Sequence, residues 1–166
     1  RRVLFRSSVK KKYQRFASIK LPKPSTPKQT LTETLMERFS SRVFGDKALS
    51  ANDLSTLLYF SSGIRSTPQI QNNNRRTHPS AGALYGIEVY LVFSARYTNK
   101  ENNACRPGAY HYNPYKNELT HLPFVNNKSC DLIMSSCSYD FVKRAPALCL
   151  MSLVKGRLYR SEEHTS

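Results

Sequence analysis

The chain has 166 residues, 39% of them apolar, and 26 Lys and Arg against 11 Asp and Glu give a formal net charge of +15 at pH 7. That length suits one domain, since domains cluster at roughly 100–150 residues, and the positive balance admits anionic partners such as nucleic acid or an acidic peptide. No uninterrupted apolar run approaches the ~20 residues that a membrane span requires, and no signal peptide is visible.

The two ends stand apart from the rest. "RSEEHTS" at 160–166 can be encoded by AGATCGGAAGAGCACACGTC plus one base, and the reverse complement of that DNA can encode "RRVLFRS" at 1–7. Peptides written on opposite strands of one oligonucleotide are expected to be sequencing-adapter read-through, so 1–7 and 160–166 are set aside from fold reasoning. Without them 22 basic and 9 acidic residues remain, a net charge of +13. Residues 8–159 then read as a chain cut at both ends.

Residues 8–29, "SVKKKYQRFASIKLPKPSTPKQ", are rich in Lys and Pro, and Pro22, Pro24 and Pro27 exclude a long helix. An extended basic arm or linker is expected, with a partial domain over 30–159. From Thr30 to Arg38, Leu31, Leu35 and Met36 recur at helical spacing, and the helix ends around "RFSSRVFGD". A second helix begins at Ser50, which can cap it, with Asp53 three positions on and Leu49 outside as a staple. Leu54, Leu57 and Leu58 form its apolar face, and Gly63 closes it.

"RSTPQIQNNNRRTHP" is a polar loop without periodicity. In "IEVYLVF", Ile87, Val89, Leu91 and Phe93 share one face of a strand, and Glu88, Tyr90 and Val92 the other. "GAYHYN" and "ELTHL" flank "PYKN", which has hairpin turn chemistry and would let His111 and His121 approach each other. A short helix is predicted over 126–138 and a buried strand over 147–154. Helices followed by antiparallel strands and a further helix indicate an α+β domain.

The four cysteines, at 105, 130, 137 and 149, show no Cys-x-x-Cys spacing. That argues against zinc and for a reduced, cytoplasmic protein. Cys149, inside "APALCLMSLV", reads as a buried small hydrophobe. No metal site is expected. The chain has no Gly-x-x-x-x-Gly-Lys, no Gly-x-Gly-x-x-Gly and no Gly-x-Ser-x-Gly.

Two basic clusters remain. Arg38, Ser40 and Arg42 put two guanidiniums and a hydroxyl within five residues, a set that can surround a phosphate or simply end a solvated helix. Arg75 and Arg76 precede Pro79, Ser80, Ala81 and Gly82, where missing side-chain bulk lets a ligand approach the backbone or lets the chain turn into a strand.

Taken in order, these pieces resemble the amino-terminal part of a nitroreductase-like flavoprotein, and more narrowly a SagB-type azoline (thiazole/oxazole) dehydrogenase. The resemblance rests on "IKLP" at 19–22, "RFSSR" at 38–42, "LSANDLSTLLYFSSGI" at 49–64, "RTHPSAGALYG" at 76–86 running into "IEVYLVF", and "GAYHYNP" at 108–114. Phe39 stands where the family has a second arginine, and Gly86 where proline is usual. The fold so implied is an antiparallel sheet flanked by helices, truncated at its carboxyl end.

The resemblance implies FMN as cofactor, with Arg38, Ser40 and Arg42 at its phosphate and ribityl end and Pro79, Ser80, Ala81 and Gly82 along the isoalloxazine. It implies a homodimer with FMN at the interface, a peptide or small-molecule substrate, and a synthetase complex as a partner. The family's catalytic Lys-Tyr is expected beyond the truncation, and Lys155 lies too early for it. No catalytic residue is therefore assigned, and the fragment itself is expected to be inactive. Two alternatives are an NAD(P)H-dependent nitro- or quinone reductase on the same fold and a basic nucleic-acid-binding module. The last lacks any RNP-like, helix-turn-helix or zinc-finger pattern.

Overall fold

A computed structural model of the chain describes residues 13–44, 49–65, 75–80, 83–93 and 105–157. Both end segments, 1–7 and 160–166, lie outside the described residues. Strands β1 (Ser18–Lys20), β2 (Ile87–Phe93), β3 (Gly108–Asn113), β4 (Glu118–His121) and β5 (Ala147–Leu153) form one sheet in the order β1-β4-β3-β2-β5. Every pairing in it is antiparallel. With helices α1 (Leu31–Glu37), α2 (Ala51–Ser62) and α3 (Asn127–Ser135), the architecture is α+β.

The helices start where their capping side chains place them. Thr30 makes a reciprocal capping box with Glu33, Ser50 Oγ accepts the Asp53 N–H at 3.1 Å, and Asn126 Oδ1 accepts the Ser129 N–H at 2.9 Å. Strand alternation then divides the core in two. Val89, Leu91 and Phe93 pack with Tyr110, Tyr112, Leu119 and the α2 residues Leu54 and Leu58. On the other face Val92 and Ala109 pack with Cys130 and Met134 of α3. The period of two in "IEVYLVF" is thus what gives each helix its own side of the sheet.

Several expectations are corrected. Within 8–29, of which residues 13–29 are described, Ser18–Lys20 pairs with β4 as a sheet edge and Leu21 is buried in the core. Backbone pairing needs no long apolar run, so a three-residue edge strand left little trace. Leu57 does not share the buried face of α2; it is 62% exposed, and Ser55 takes the inward position with its hydroxyl donating to Pro22 O at 2.6 Å. Residues 147–153 form a strand but not a buried one. β5 lies at the edge of the described sheet, Met151 and Leu153 are exposed, and Cys149 is exposed rather than enclosed. His111 and His121 do not approach each other. His121 pairs with Tyr110 and His111 with Thr120, which sends the two rings to opposite faces.

Asn117 closes the β3–β4 hairpin with a positive φ of 53°. Its side chain donates to Pro22 O and Ser55 Oγ, accepts from Tyr112 Oη, and its carbonyl accepts the Leu21 N–H. One turn residue therefore ties the edge strand, α2 and the hairpin together. Asn117→Gly keeps the backbone conformation and loses the side-chain bonds, for an expected cost of about 1–3 kcal/mol. Asn117→Ala loses both and is expected to cost about 1 kcal/mol more. Urea midpoints measure the difference, and equal midpoints would refute the backbone contribution.

Candidate functional site

The end of α2 and the segment before β2 are built as one unit. Gly63 donates its N–H to Tyr59 O at 2.8 Å, and a Cβ there would lie 2.5 Å from that oxygen. Its φ of −72° is ordinary, so closeness to Tyr59 and not a left-handed cap requires the glycine. Beyond it, Ile64 bridges Arg76 antiparallel, Arg65 N–H donates to Arg75 O at 2.8 Å, and Thr77 N–H donates to Gly63 O at 2.9 Å. His78 Nδ1 lies 3.1 Å from Ser61 O.

Arg76 is buried at 5% exposure, donates from one guanidinium nitrogen to Ile87 O at 2.9 Å, and lies over the Tyr85 ring at 5.5 Å. Its Nε is buried without a hydrogen-bond partner. The turn that follows is strained: Ala83 and Tyr85 have φ of 54° and 47°, values that a bulky side chain seldom takes. Three bonds hold it. Tyr85 N–H donates to Ser80 Oγ at 2.9 Å, Ala83 N–H donates to Ser80 O at 3.0 Å, and Arg157 donates to Tyr85 O at 3.0 Å. Strain that its surroundings over-determine in this way collects at ligand sites.

This turn and the bridged arginines line a cleft of about 670 Å³ whose walls are Arg65, Arg75, Arg76, Thr77, His78, Pro79, Ser80, Ala83 and Tyr85. Of the residues singled out in sequence, Pro79 and Ser80 line it, while Ala81 and Gly82 lie outside the described residues. Arg38, Ser40 and Arg42 do not line it. They follow α1 in exposed chain, with the Arg42 guanidinium 6.0 Å from the centre of the Phe141 ring. The two basic clusters therefore do not converge on one cleft within one copy of the described chain.

The cleft fits the ring end of a flavin in part. Its volume is in the range of small-molecule sites, about 300–1,000 Å³. Pro79, Ser80 and Ala83 are short, and Ser80, whose oxygen already accepts from Tyr85, has its O–H to offer a ligand. Arg65 and Tyr85 belong to this wall and were not singled out. A signal for Arg65 existed: between Asp53 and Glu88 the sequence has no acidic residue and three arginines.

Behind the cleft lies a polar cluster that the sequence did not reveal. Glu88, 3% exposed, accepts from Arg157 at 2.5 Å and sits 2.8 Å from His111 Nε2; His111 is 2% and Arg157 8% exposed. Burial pushes the Glu88 carboxyl upward, but the hydrogen bonds from His111 and Arg157 outweigh it and hold the group below its ordinary 4.5. Burial also raises the Cys105 thiol to about 11 and that of Cys130 upward, which disfavours the thiolate at both. Among the described residues no group of three or more His, Cys, Asp and Glu is placed to hold a metal ion. Nor is any described helix long and apolar enough to cross a membrane.

No protein-family model matches the chain, and no curated relative does. Solved structures do. A candidate nitroreductase from Ralstonia eutropha JMP134 is 28% identical with a TM-score of 0.65 over 87% of this chain and 60% of that one. A candidate nitroreductase from Anabaena variabilis ATCC 29413 is 22% identical, TM-score 0.56, over 89% of this chain and 26% of its own. The E. coli microcin synthetase McbBCD complex with truncated pro-MccB17 bound contains a chain 22% identical, TM-score 0.50, over 80% of this chain and 50% of its own. The last two likenesses are of fold. This chain thus spans 60% or less of the length of each of these three proteins.

Proposed function

We propose that this chain, a member of the nitroreductase-like superfamily of flavin-binding oxidoreductases, is part of an FMN-dependent dehydrogenase. Its substrate would be an azoline ring in a ribosomally made peptide, oxidised to thiazole or oxazole. The observation that carries the flavin is the cleft lined in part by the short residues Pro79, Ser80 and Ala83, a few residues before β2. The azoline substrate rests on the order of motifs from "IKLP" to "GAYHYNP".

In this reading Pro79, Ser80, Ala81 and Gly82 lie along the isoalloxazine, where short side chains leave room for a plane. Arg38, Ser40 and Arg42 hold the phosphate and ribityl end, two guanidiniums meeting the oxygens in paired hydrogen bonds. Because those groups do not line the same cleft in one copy, the cofactor is shared between two copies, one supplying the arginines and the other the turn. Bound FMN would supply hydride acceptance, while the chain binds, orients and shields the ring from water. The proton leaving the azoline carbon requires a base that no described residue is assigned to provide. The protein is proposed to be cytoplasmic and to work within a synthetase complex, as does the chain it resembles in the E. coli McbBCD complex with truncated pro-MccB17 bound.

A second reading is favoured by the 28% identity to a candidate nitroreductase: reduction of a nitro or quinone substrate by NAD(P)H. The full-length parent protein is expected to purify yellow, to release FMN on denaturation and to aromatise an azoline peptide without pyridine nucleotide. Rapid NAD(P)H oxidation with a nitroarene and no action on the peptide would sink the first reading in favour of the second. A colourless protein that takes up no added FMN would sink both.

A further inference from the structure

We propose that Arg65, Arg75 and Arg76 form an oxyanion-binding site, one that takes a phosphate or carboxylate group in the cleft beside Ser80 and Tyr85. All three line that cleft. The Ile64–Arg76 bridge and the Arg65 N–H to Arg75 O bond place residues 65 and 75 opposite each other. Opposed residues of an antiparallel pair hold their Cβ atoms about 4.5–5.5 Å apart, and like charges there repel.

Among the described residues no carboxylate forms an ion pair with any of the three: Glu88 serves His111 and Arg157, and the other pairs are Lys116–Glu118 and Lys143–Asp140. The chain offers no neighbour for the purpose either, since no acidic residue occurs between Asp53 and Glu88. Arg76 makes the arrangement more than a solvated charge run. A guanidinium 95% withdrawn from water, satisfied only by Ile87 O and the Tyr85 ring, with Nε unpartnered and no counter-charge among the described residues, is costly unless an anion compensates it. His78, also lining the cleft, adds a ring N–H donor or, when protonated, a fourth cation. An oxyanion accepting from the two exposed guanidiniums removes their mutual repulsion and screens the buried third.

This site stands on the cleft's geometry and does not depend on the flavin reading. The proposed flavin reading gives FMN's phosphate to Arg38 and Arg42, so the anionic group here is that of a second ligand; if FMN's phosphate occupies the cleft instead, that assignment fails and the oxyanion site stands.

The test is calorimetric titration of the chain with pyrophosphate at fixed ionic strength. Saturable binding is expected, weakened at least about tenfold in Arg65→Gln/Arg75→Gln and less in Arg65→Lys/Arg75→Lys, which keeps charge but loses the planar fork. Both positions are exposed, and without anions the Gln variant is expected to melt no lower than the unsubstituted chain. If FMN competes with pyrophosphate and riboflavin does not, the flavin's phosphate is the occupant and its assignment to Arg38 and Arg42 fails. Undiminished pyrophosphate binding to flavin-loaded protein identifies a second ligand. The proposal is overturned if neither chain binds saturably, if the Gln variant binds as tightly as the original, or if Arg38→Gln/Arg42→Gln produces the loss instead.

Discussion

Glu88→Ala is expected to destabilise the chain by about 3–5 kcal/mol, because it strands two partners that the fold has already buried. Glu88 lies in the interior strand β2, accepts from Arg157 beyond β5 and pairs with His111 on β3. Removing the carboxylate leaves a guanidinium 8% exposed facing a ring 2% exposed, with no counter-charge between them. Arg157 also donates to Tyr85 O, so the loss reaches the strained turn that walls the cleft. Glu88→Gln keeps a hydrogen-bond acceptor and is expected to cost less.

The pH dependence separates charge from shape. The folded-state pKa of Glu88 is held below 4.5, so its carboxylate contributes stability at higher pH that is lost as pH falls through the folded value. Denaturant unfolding followed from neutrality to below pH 4.5 should therefore show a decline in the unsubstituted chain that is shallower in Glu88→Gln. A cost under about 1 kcal/mol for Glu88→Ala would mean that water replaces the carboxylate and that the cluster is not closed.

Leu54→Ala is expected to cost about 2–5 kcal/mol and Leu57→Ala no more than about 0.5 kcal/mol, although sequence spacing assigns both to one face of α2. Leu54 is 2% exposed among Leu21, Leu58, Val89 and Tyr112, so truncation empties a site whose walls are the sheet itself. Leu57 is 62% exposed and has little left to lose. A domain has only about 5–15 kcal/mol of stability, so the first substitution removes much of it. Guanidinium unfolding of the two variants gives the comparison. A large cost at Leu57 would reveal a partner covering that side of α2.

How far this protein is legible from its residues depends on the range of the interaction involved. Local chemistry was read correctly. Ser50 caps its helix because the hydroxyl reaches an amide three residues on, and "PYKN" turns because Asn117 tolerates a left-handed backbone. "IEVYLVF" declares both faces of the sheet, since its alternation is a property of the strand alone. Other features depend on partners far away. Leu57 yields the inward position to Ser55 because Pro22 and Asn117 offer that hydroxyl its hydrogen bonds. The site divides in the same way: Pro79 and Ser80 could be named from missing bulk, whereas Arg65 joined them only through a bridge spanning a polar loop.

What the sequence determined by itself, then, is the α+β class, the helix starts, the hairpin, the two faces of β2 and the small-residue turn before it. Each follows from forces acting within a few residues. Only the tertiary structure decided that a basic "arm" supplies an edge strand, that β5 is exposed, that Glu88, His111 and Arg157 meet, and that Arg38 and Arg42 stand away from the cleft. Those outcomes are set by which distant groups meet once the sheet closes, because buried charge and buried backbone must find partners wherever the chain brings them.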